Sequence, residues 1–285
     1  MSRLQEVAFQ RTAMGTIKNL TSVFEGIASM RIAQTKNQVL QSQQFFSELW
    51  HIYSQLRVDK LFNYGRTNSD DIINKQLFIV VTSEGGFSGD IDQRLIKSML
   101  TQFDSNKHDI IVIGHHGAVQ LIQQGISFKK YYTLPSKDRN INVLPLIKEA
   151  RRYKSTTVFY QTYVSLMVQE VKNIDLSHAV AEEAGSVDKS KQEYISEANY
   201  IFEPSTFDVV AHLERSMMQI ALSQVILDSK LAQYASRFRA MSMAKDRAND
   251  LQTDLSIMYN RTKRRIQDER LKEMINGLRN SGGSL

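Results

Sequence analysis

The fold class predicted for this chain is α/β: a long antiparallel coiled coil of the N- and C-terminal helices, with an α/β domain inserted between them. Three observations predict it. No proline follows Pro204 and no glycine interrupts the stretch from Ser205 to Gly277, where apolar residues recur at gaps of three and four. Residues 1–58 carry a second stretch of helical spacing. Between residues 76 and 203, short β-branched runs alternate with helical segments. The expected organisation is therefore 1–58 (first coiled-coil helix), 76–203 (α/β domain) and 205–279 (last coiled-coil helix).

In the first helix, Ile17, Leu20, Phe24 and Ile27 form an apolar stripe, which Phe45, Leu49, Ile52 and Leu56 resume. Residues at these gaps fall on one side of a 3.6-residue helix. Gln34, Gln38 and Gln41 lie between the two runs and keep helix propensity while weakening burial. Gly15 and Gly26 each cost about 1 kcal/mol relative to alanine, so a packed partner is needed to offset them.

Leu77–Thr82 and Asp109–Ile113 read as buried parallel strands. Thr156–Tyr163 and Tyr194–Phe202 are further strand candidates; Asp90–Phe103, Gly117–Gln124 and Asn142–Arg152 read as helices, and Gly185–Ser190 as a polar loop. Alternating strands and helices predict a largely parallel sheet covered by helices. In the last helix the stripe runs through Leu231, Tyr234, Phe238, Met241, Ala244, Ala248, Leu251, Leu255 and Met258. At 1.5 Å per residue the helix would reach roughly 105 Å, and so long and narrow a stripe must be covered by another long helix.

Composition narrows the classes. A hydrophobic content of 42% with 23% charged residues over 285 residues fits a folded chain and argues against extensive disorder. With no cysteine there is no disulfide framework and no thiolate metal site, which fits a reducing compartment. No apolar run approaches the roughly 20 residues that span a bilayer, and the first ten residues lack a signal core, so the expectation is a protein that is soluble or peripheral to a membrane. The net charge of +6 permits acidic protein, anionic lipid or nucleic acid as a partner.

Candidate chemistry is sparse. Ser83–Gly89 (SEGGFSG) sits between strand and helix, where a phosphate loop would lie, but it matches neither glycine-rich phosphate motif and lacks the lysine. It reads as a tight turn. His115 and His116 have no neighbouring cluster to complete a metal site. Ser83 and Glu84 have no base at a nucleophile's spacing. No catalytic, cofactor-binding or metal residues are assigned. Arg261–Arg265 (RTKRR), with Arg237, Arg239, Lys245 and Arg247, charges the outer faces of the last helix. This is a solvated face or a contact for an acidic protein collar; the absence of interleaved aromatics argues against single-strand nucleic acid. Met217, Met218, Met241, Met243 and Met258 read as packing residues.

Four segments, in order along the chain, resemble one family. Leu20–Arg31 (LTSVFEGIASMR) is similar to I-T-x-A-M-x-M-V-A-A-x-K, and Val80–Asp92 (VVTSEGGFSGDID) to V-V-S-T-D-R-G-L-C-G-G-L-N. Tyr200–Pro204 (YIFEP) matches a segment before the last helix, and Arg237–Asn260 resembles R-M-x-A-M-x-x-A-x-x-N-A…L…Y-N. These are patterns of the gamma subunit family of F-type ATP synthases. The resemblance implies a Rossmann-like inserted domain and a central rotor shaft that makes and breaks no bonds itself. It implies as partners three alpha and three beta nucleotide-binding subunits of a catalytic head, an epsilon-type subunit and a membrane rotor ring, with no direct nucleotide and no cofactor. It places the complex on the cytoplasmic side of a bacterial plasma membrane.

The resemblance also implies site residues. By it, contacts with the catalytic head fall on Phe24, Arg237, Arg264, Asp268 and Arg270; the apolar stripes themselves place coiled-coil packing on Ile17, Leu20, Ile27, Phe238, Met241, Leu251, Leu255 and Met258. Arg237 keeps the family's arginine, while Phe24 replaces a methionine and Arg247 an asparagine. Arg264, Asp268 and Arg270 stand where the pattern N-K-A-R-Q-x-x-I-T-x-E-[IL]-x-E-I has Gln, Thr and Glu; Leu271 and Glu273 are retained. These changes leave two further readings: the shaft of a divergent rotary ATPase serving motility or secretion, and a basic coiled-coil protein that binds nucleic acid or acts as a scaffold.

Overall fold

A computed structural model describes residues 3–55, 73–134, 141–176, 203 and 205–281. The expected strand 194–202, the loop 185–190, the Tyr200–Pro204 match apart from residue 203, and the end of the first helix at 56–58 lie outside the described residues. The elements in chain order are α1 (Arg3–Gln55), β1 (Ile73–Val81), α2 (Ile91–Leu100), β2 (His108–Ile113), α3 (His115–Gln123), β3 (Lys130–Tyr132), α4 (Leu144–Ala150), β4 (Tyr153–Tyr163), β5 (Gln169–Asp175) and α5 (Thr206–Ser281).

The chain forms two compact units. One comprises α1 up to Ile27 and α5 from Phe238 onward; the other runs from Ala28 to Arg237.

In the second unit the sheet order is β3-β2-β1-β4-β5. The first four strands are parallel and β5 pairs antiparallel with β4. Leu77 to Val81 are all buried, because helices cover both faces of this strand. Successive side chains go to opposite faces. Leu77, Ile79 and Val81 face α4 and the Leu222–Ile226 part of α5. Phe78 and Val80 face α2 and α3. The sheet edges are β3, three residues long, and β5, which carries Glu170, Lys172 and Asp175. Short or charged strands discourage further pairing.

Strands β3 and β5 were not expected. Three residues are too few to show a period, and VKNID alternates too weakly to mark a strand. The other described elements agree with the expected ones to within a few residues at their ends, the usual uncertainty of helix and strand boundaries.

Helix α1 follows a heptad line throughout, and α5 follows one from Met241 onward. On α1 a line of buried and half-buried positions runs through Leu4, Val7, Arg11, Met14, Lys18, Thr21, Glu25, Ala28, Ile32, Thr35, Val39, Ser42, Phe46 and Leu49, at gaps alternating three and four. In the second unit Phe46 packs against Met217 and Ala221. The start of α5 is capped, since Ser205 Oγ accepts from the Asp208 N–H at 3.1 Å and donates to its carboxylate at 2.6 Å.

Candidate functional site

In the first unit, α1 and α5 meet along a seam whose contacts identify an antiparallel pair. Arg11 lies over the Tyr259 ring, 4.7 Å from its centroid. A Cβ on Gly15 would approach Gln252 Nε2 to 2.7 Å, so the glycine admits close contact. Lys18 Nζ donates to Asn249 Oδ1 at 2.7 Å, and Lys245 Nζ to Glu25 Oε2 at 2.6 Å. As α1 numbers rise, α5 numbers fall. On α5 the seam reads Met241, Lys245, Ala248, Gln252, Leu255, Tyr259, Thr262 and Ile266, again at gaps of four and three. The hydrogen bond from Lys245 holds Glu25 below the usual carboxylate range, and the same bond raises the Lys245 ammonium above its ordinary value.

This seam corrects the expected packing stripe. Met241 is buried, and Phe238 and Leu255 are half-buried. Ile17, Leu20 and Ile27, however, are 41, 54 and 44% exposed, and Leu251 and Met258 are exposed as well. Seam and stripe share the same alternating gaps of three and four and meet at Met241, Ala248 and Leu255; between these the buried line passes through Gln252, and beyond them through Tyr259, each one residue past the expected apolar position. The first unit thus has a mixed seam of apolar and charged residues, with Ile17, Leu20, Val23, Phe24 and Ile27 on its outside.

The second feature lies within the second unit, at the carboxyl ends of β1 and β4. Strand order reverses between these two strands, the crevice where doubly wound sheets take dinucleotides. Here protein side chains fill it. Asp92, 2% exposed on the first turn of α2, accepts from the Ser83 N–H at 3.2 Å, from the Ser83 hydroxyl, and from Gln161 Nε2 at 3.1 Å. His116 Nδ1 lies 3.2 Å from the same carboxylate. Gln161 Oε1 accepts from Ser229 Oγ at 2.5 Å, and Gln233 Nε2 donates to Ser229 Oγ at 3.1 Å.

The turn Ser83–Gly89 also faces α5. Ser236 Oγ donates to the Ser88 carbonyl at 2.6 Å, and Arg237 donates to the Gly86 and Gly85 carbonyls at 3.1 and 3.2 Å. A phosphate cradle presents backbone N–H groups. This turn presents carbonyls and receives a cation, so it fits a guanidinium and not an anion. Phe87 and Gly89 both have φ of 66°, which for a phenylalanine marks backbone strain in the turn. Below it, Thr162 Oγ1 donates to Asp228 Oδ2 at 2.7 Å. Burial pushes the Asp228 carboxyl above its ordinary value, against the hydrogen bonds from Thr162 and the Tyr163 backbone.

The predicted head contacts fall in different places. Arg264, Asp268 and Arg270 are exposed on the last turns of α5, and Phe24 is 38% exposed in the same unit. Arg237 is engaged by the glycine turn, a partner that sequence spacing cannot reveal. His116 joins the Asp92 cluster, whereas His115 uses its backbone N–H to reach Glu84 Oε2 at 3.2 Å. Among the described residues, no group of three His, Cys, Asp or Glu side chains is placed to hold a metal ion.

A family model described as ATP synthase matches residues 3–279. The ATP synthase gamma chain of Chloroherpeton thalassium is 25% identical, with 97% of each chain covered. That of Staphylococcus epidermidis is 21% identical, covering 97% of this chain and 98% of the relative. Among solved structures, a chain of the Euglena gracilis mitochondrial ATP synthase OSCP/F1/c-ring assembly superposes with a TM-score of 0.68 at 13% identity, covering 99% of this chain and 97% of the other. A chain of the Tetrahymena thermophila mitochondrial central stalk and c-ring superposes with a TM-score of 0.54 at 16% identity, covering 79% and 99%.

Proposed function

The chain belongs to the ATP synthase family, as a central-stalk subunit, and we propose that it is the rotor shaft that couples ion-driven rotation to ATP synthesis or hydrolysis in a catalytic head. The single observation that carries this reading is the inverted arrangement of the first unit. Its seam takes in Arg11, Lys18, Glu25 and Lys245 beside apolar residues, while Ile17, Leu20, Phe24 and Ile27 stay on the outside. Apolar side chains in a row on an outer surface mark an interface, and a ring of nucleotide-binding subunits around the shaft supplies one.

The chain is a component of an ATPase complex. Its own part is mechanical. The crevice at the strand switch is filled, and its polar groups are engaged with one another, which supports a subunit that turns over no substrate. Different faces of an asymmetric shaft stabilise different conformations of each catalytic subunit in turn, and that differential contact is what links rotation to nucleotide affinity. The partners are alpha and beta subunits, an epsilon-type subunit and a membrane rotor ring. Phe24, Arg237, Arg264, Asp268 and Arg270 are the proposed head contacts. Among the described residues no helix is long and apolar enough to cross a membrane; attachment through the ring, on the cytoplasmic side of a bacterial plasma membrane, completes the reading.

Native affinity purification of the chain from its host, with quantitative mass spectrometry, tests it. Recovery with a threefold excess of each of two nucleotide-binding subunits, together with ring and stator subunits, is the expected result. Unfamiliar partners beside those subunits would transfer the shaft to a motility or secretion motor. Recovery alone, or with nucleic acid, would overturn the rotor reading.

A further inference from the structure

Within the second unit, the last helix holds the sheet by two successive grips. Leu222, Val225 and Ile226 pack into the apolar core on the α4 side of the sheet, with Met218 against it. Apolar contact is non-directional, so this grip secures the helix without fixing its rotation. The next turns differ. Asp228, Ser229, Gln233, Ser236 and Arg237 recur along one side of the helix, and each is bonded to β4, to the turn after β1 or to a neighbour in the same cluster. Hydrogen bonds have narrow angular preferences, and several along one side define a single rotational setting.

On β4, Thr162 holds Asp228 and Gln161 holds Ser229. Gln161 takes Ser229 on its carbonyl oxygen and gives its amide to Asp92, and Asp92 also holds Ser83, the first residue of the turn that Ser236 and Arg237 grip. Ser83 Oγ lies 3.2 Å from Ser88 Oγ, and Ser88 contributes the carbonyl that Ser236 reaches. A buried carboxylate is an unfavourable choice for filling space. An apolar side chain would fill that volume without the desolvation, but it could not orient an amide and a hydroxyl at once.

We propose that Asp92 is a positioning residue that sets the angular register of the last helix on the α/β sheet, so that torque applied to the sheet reaches the helix without slip. The proposal rests on the central-stalk reading. It also predicts which replacement the site tolerates. Asparagine can accept from the Ser83 N–H and from Gln161 through its oxygen, and can donate to Ser83 Oγ and to a neutral His116 ring through its nitrogen. The resembling family pattern has Asn at this place. Leucine leaves the Ser83 N–H and the Gln161 amide without a partner.

The experiment compares the wild-type chain, Asp92→Asn, Asp92→Leu and the double variant Ser229→Ala/Gln233→Ala in the complete complex. ATP hydrolysis and ATP-driven ion pumping into vesicles are measured together, and amide hydrogen exchange is followed on each full-length chain alone. In Asp92→Leu, pumping per ATP should fall severalfold while hydrolysis persists. Exchange should rise about tenfold both in the turn 83–89 and in helix residues 229–237. Asp92→Asn should keep wild-type coupling and protection. If Asp92→Leu does not assemble, the double variant decides, since it cuts only the helix side of the joint: lost coupling supports the proposal and full coupling overturns it. Faster exchange confined to the turn, or an Asp92→Asn chain as uncoupled as Asp92→Leu, would also overturn it. A wild-type chain that supports no pumping sinks the central-stalk reading instead, and the exchange pattern then decides the positioning role by itself.

Discussion

An aspartate scan of α5 separates the heptad seam from the apolar stripe. Met241 is 7% exposed in the seam, whereas Leu251 is 46% exposed beside it. Replacing Met241 by aspartate forfeits about 1.5–3 kcal/mol of side-chain burial. Desolvating a polar group without a partner adds about 1–3 kcal/mol on the scale of protein mutational data, and an ionised group more. The expected loss is therefore about 2.5–6 kcal/mol, and it falls on the pairing of the helix ends. Leu251→Asp removes a half-covered side chain and places its charge in water, so its effect should stay below about 1 kcal/mol. Urea unfolding of the full chain, with amide exchange resolved along residues 241–259, measures both. On the proposed reading the two variants should reverse order in the assembled complex, because Leu251 is exposed and Met241 is buried in the seam. If Leu251→Asp opens the helix pair as far as Met241→Asp does, the seam runs through Leu251 and the assignment of Gln252 to it is wrong.

Three further outcomes are expected. Asp228→Asn should stabilise the chain near neutral pH and lose that advantage in acid. Burial raises the Asp228 carboxyl in the folded state, so the native chain binds the extra proton and stability falls as pH rises from the ordinary carboxylate range through the raised value; a thermal-shift series equal for both chains at every pH would contradict this. Gly114→Ala should destabilise the second unit by about 3 kcal/mol or more, because at φ 99° the added Cβ would meet the Thr82 carbonyl oxygen at 2.1 Å; an unchanged unfolding midpoint would refute it. Truncation after Ile266 should leave the unfolding midpoint in place, since residues 267–278 are exposed throughout, while lowering coupled pumping; a reduced midpoint would mean that those turns pack on the chain itself.

The fold was legible wherever burial and period agree. β1 and β2 are continuous apolar runs because both faces of the sheet are covered, and such runs announce themselves. The long helices were legible as helices for the same reason that their facing side was not. Period establishes a helix, but an apolar side chain on it has two possible destinations, a partner helix in the same chain or a partner protein. Ile17, Leu20 and Ile27 go outward, while Arg11, Lys18 and Glu25 line the seam with Tyr259, Asn249 and Lys245 as partners. Hydrophobicity ranks these destinations in the wrong order for any helix pair destined to be enclosed. The usable signal was a different one: Arg11, Lys18 and Glu25 recur every seven residues on the first helix, and Lys245 stands on the last, able to pair across an antiparallel seam.

The polar joint was out of reach for a different reason. Ser83, Asp92, His116, Gln161 and Ser229 are scattered over nearly 150 positions, and all but the histidine belong to residue types that are ordinarily exposed. Only the sheet topology brings the ends of β1 and β4 beside α5, so no local pattern encodes their meeting. Sequence reading did place the glycine turn correctly between strand and helix. What it could not supply was the direction of the peptide groups, and that direction decides the chemistry. N–H groups turned toward the crevice would have made an anion site on a fold that often carries one. With carbonyls turned there instead, Arg237 and Ser236 enter, and the crevice that binds nucleotides in other sheets becomes the place where this one holds its shaft.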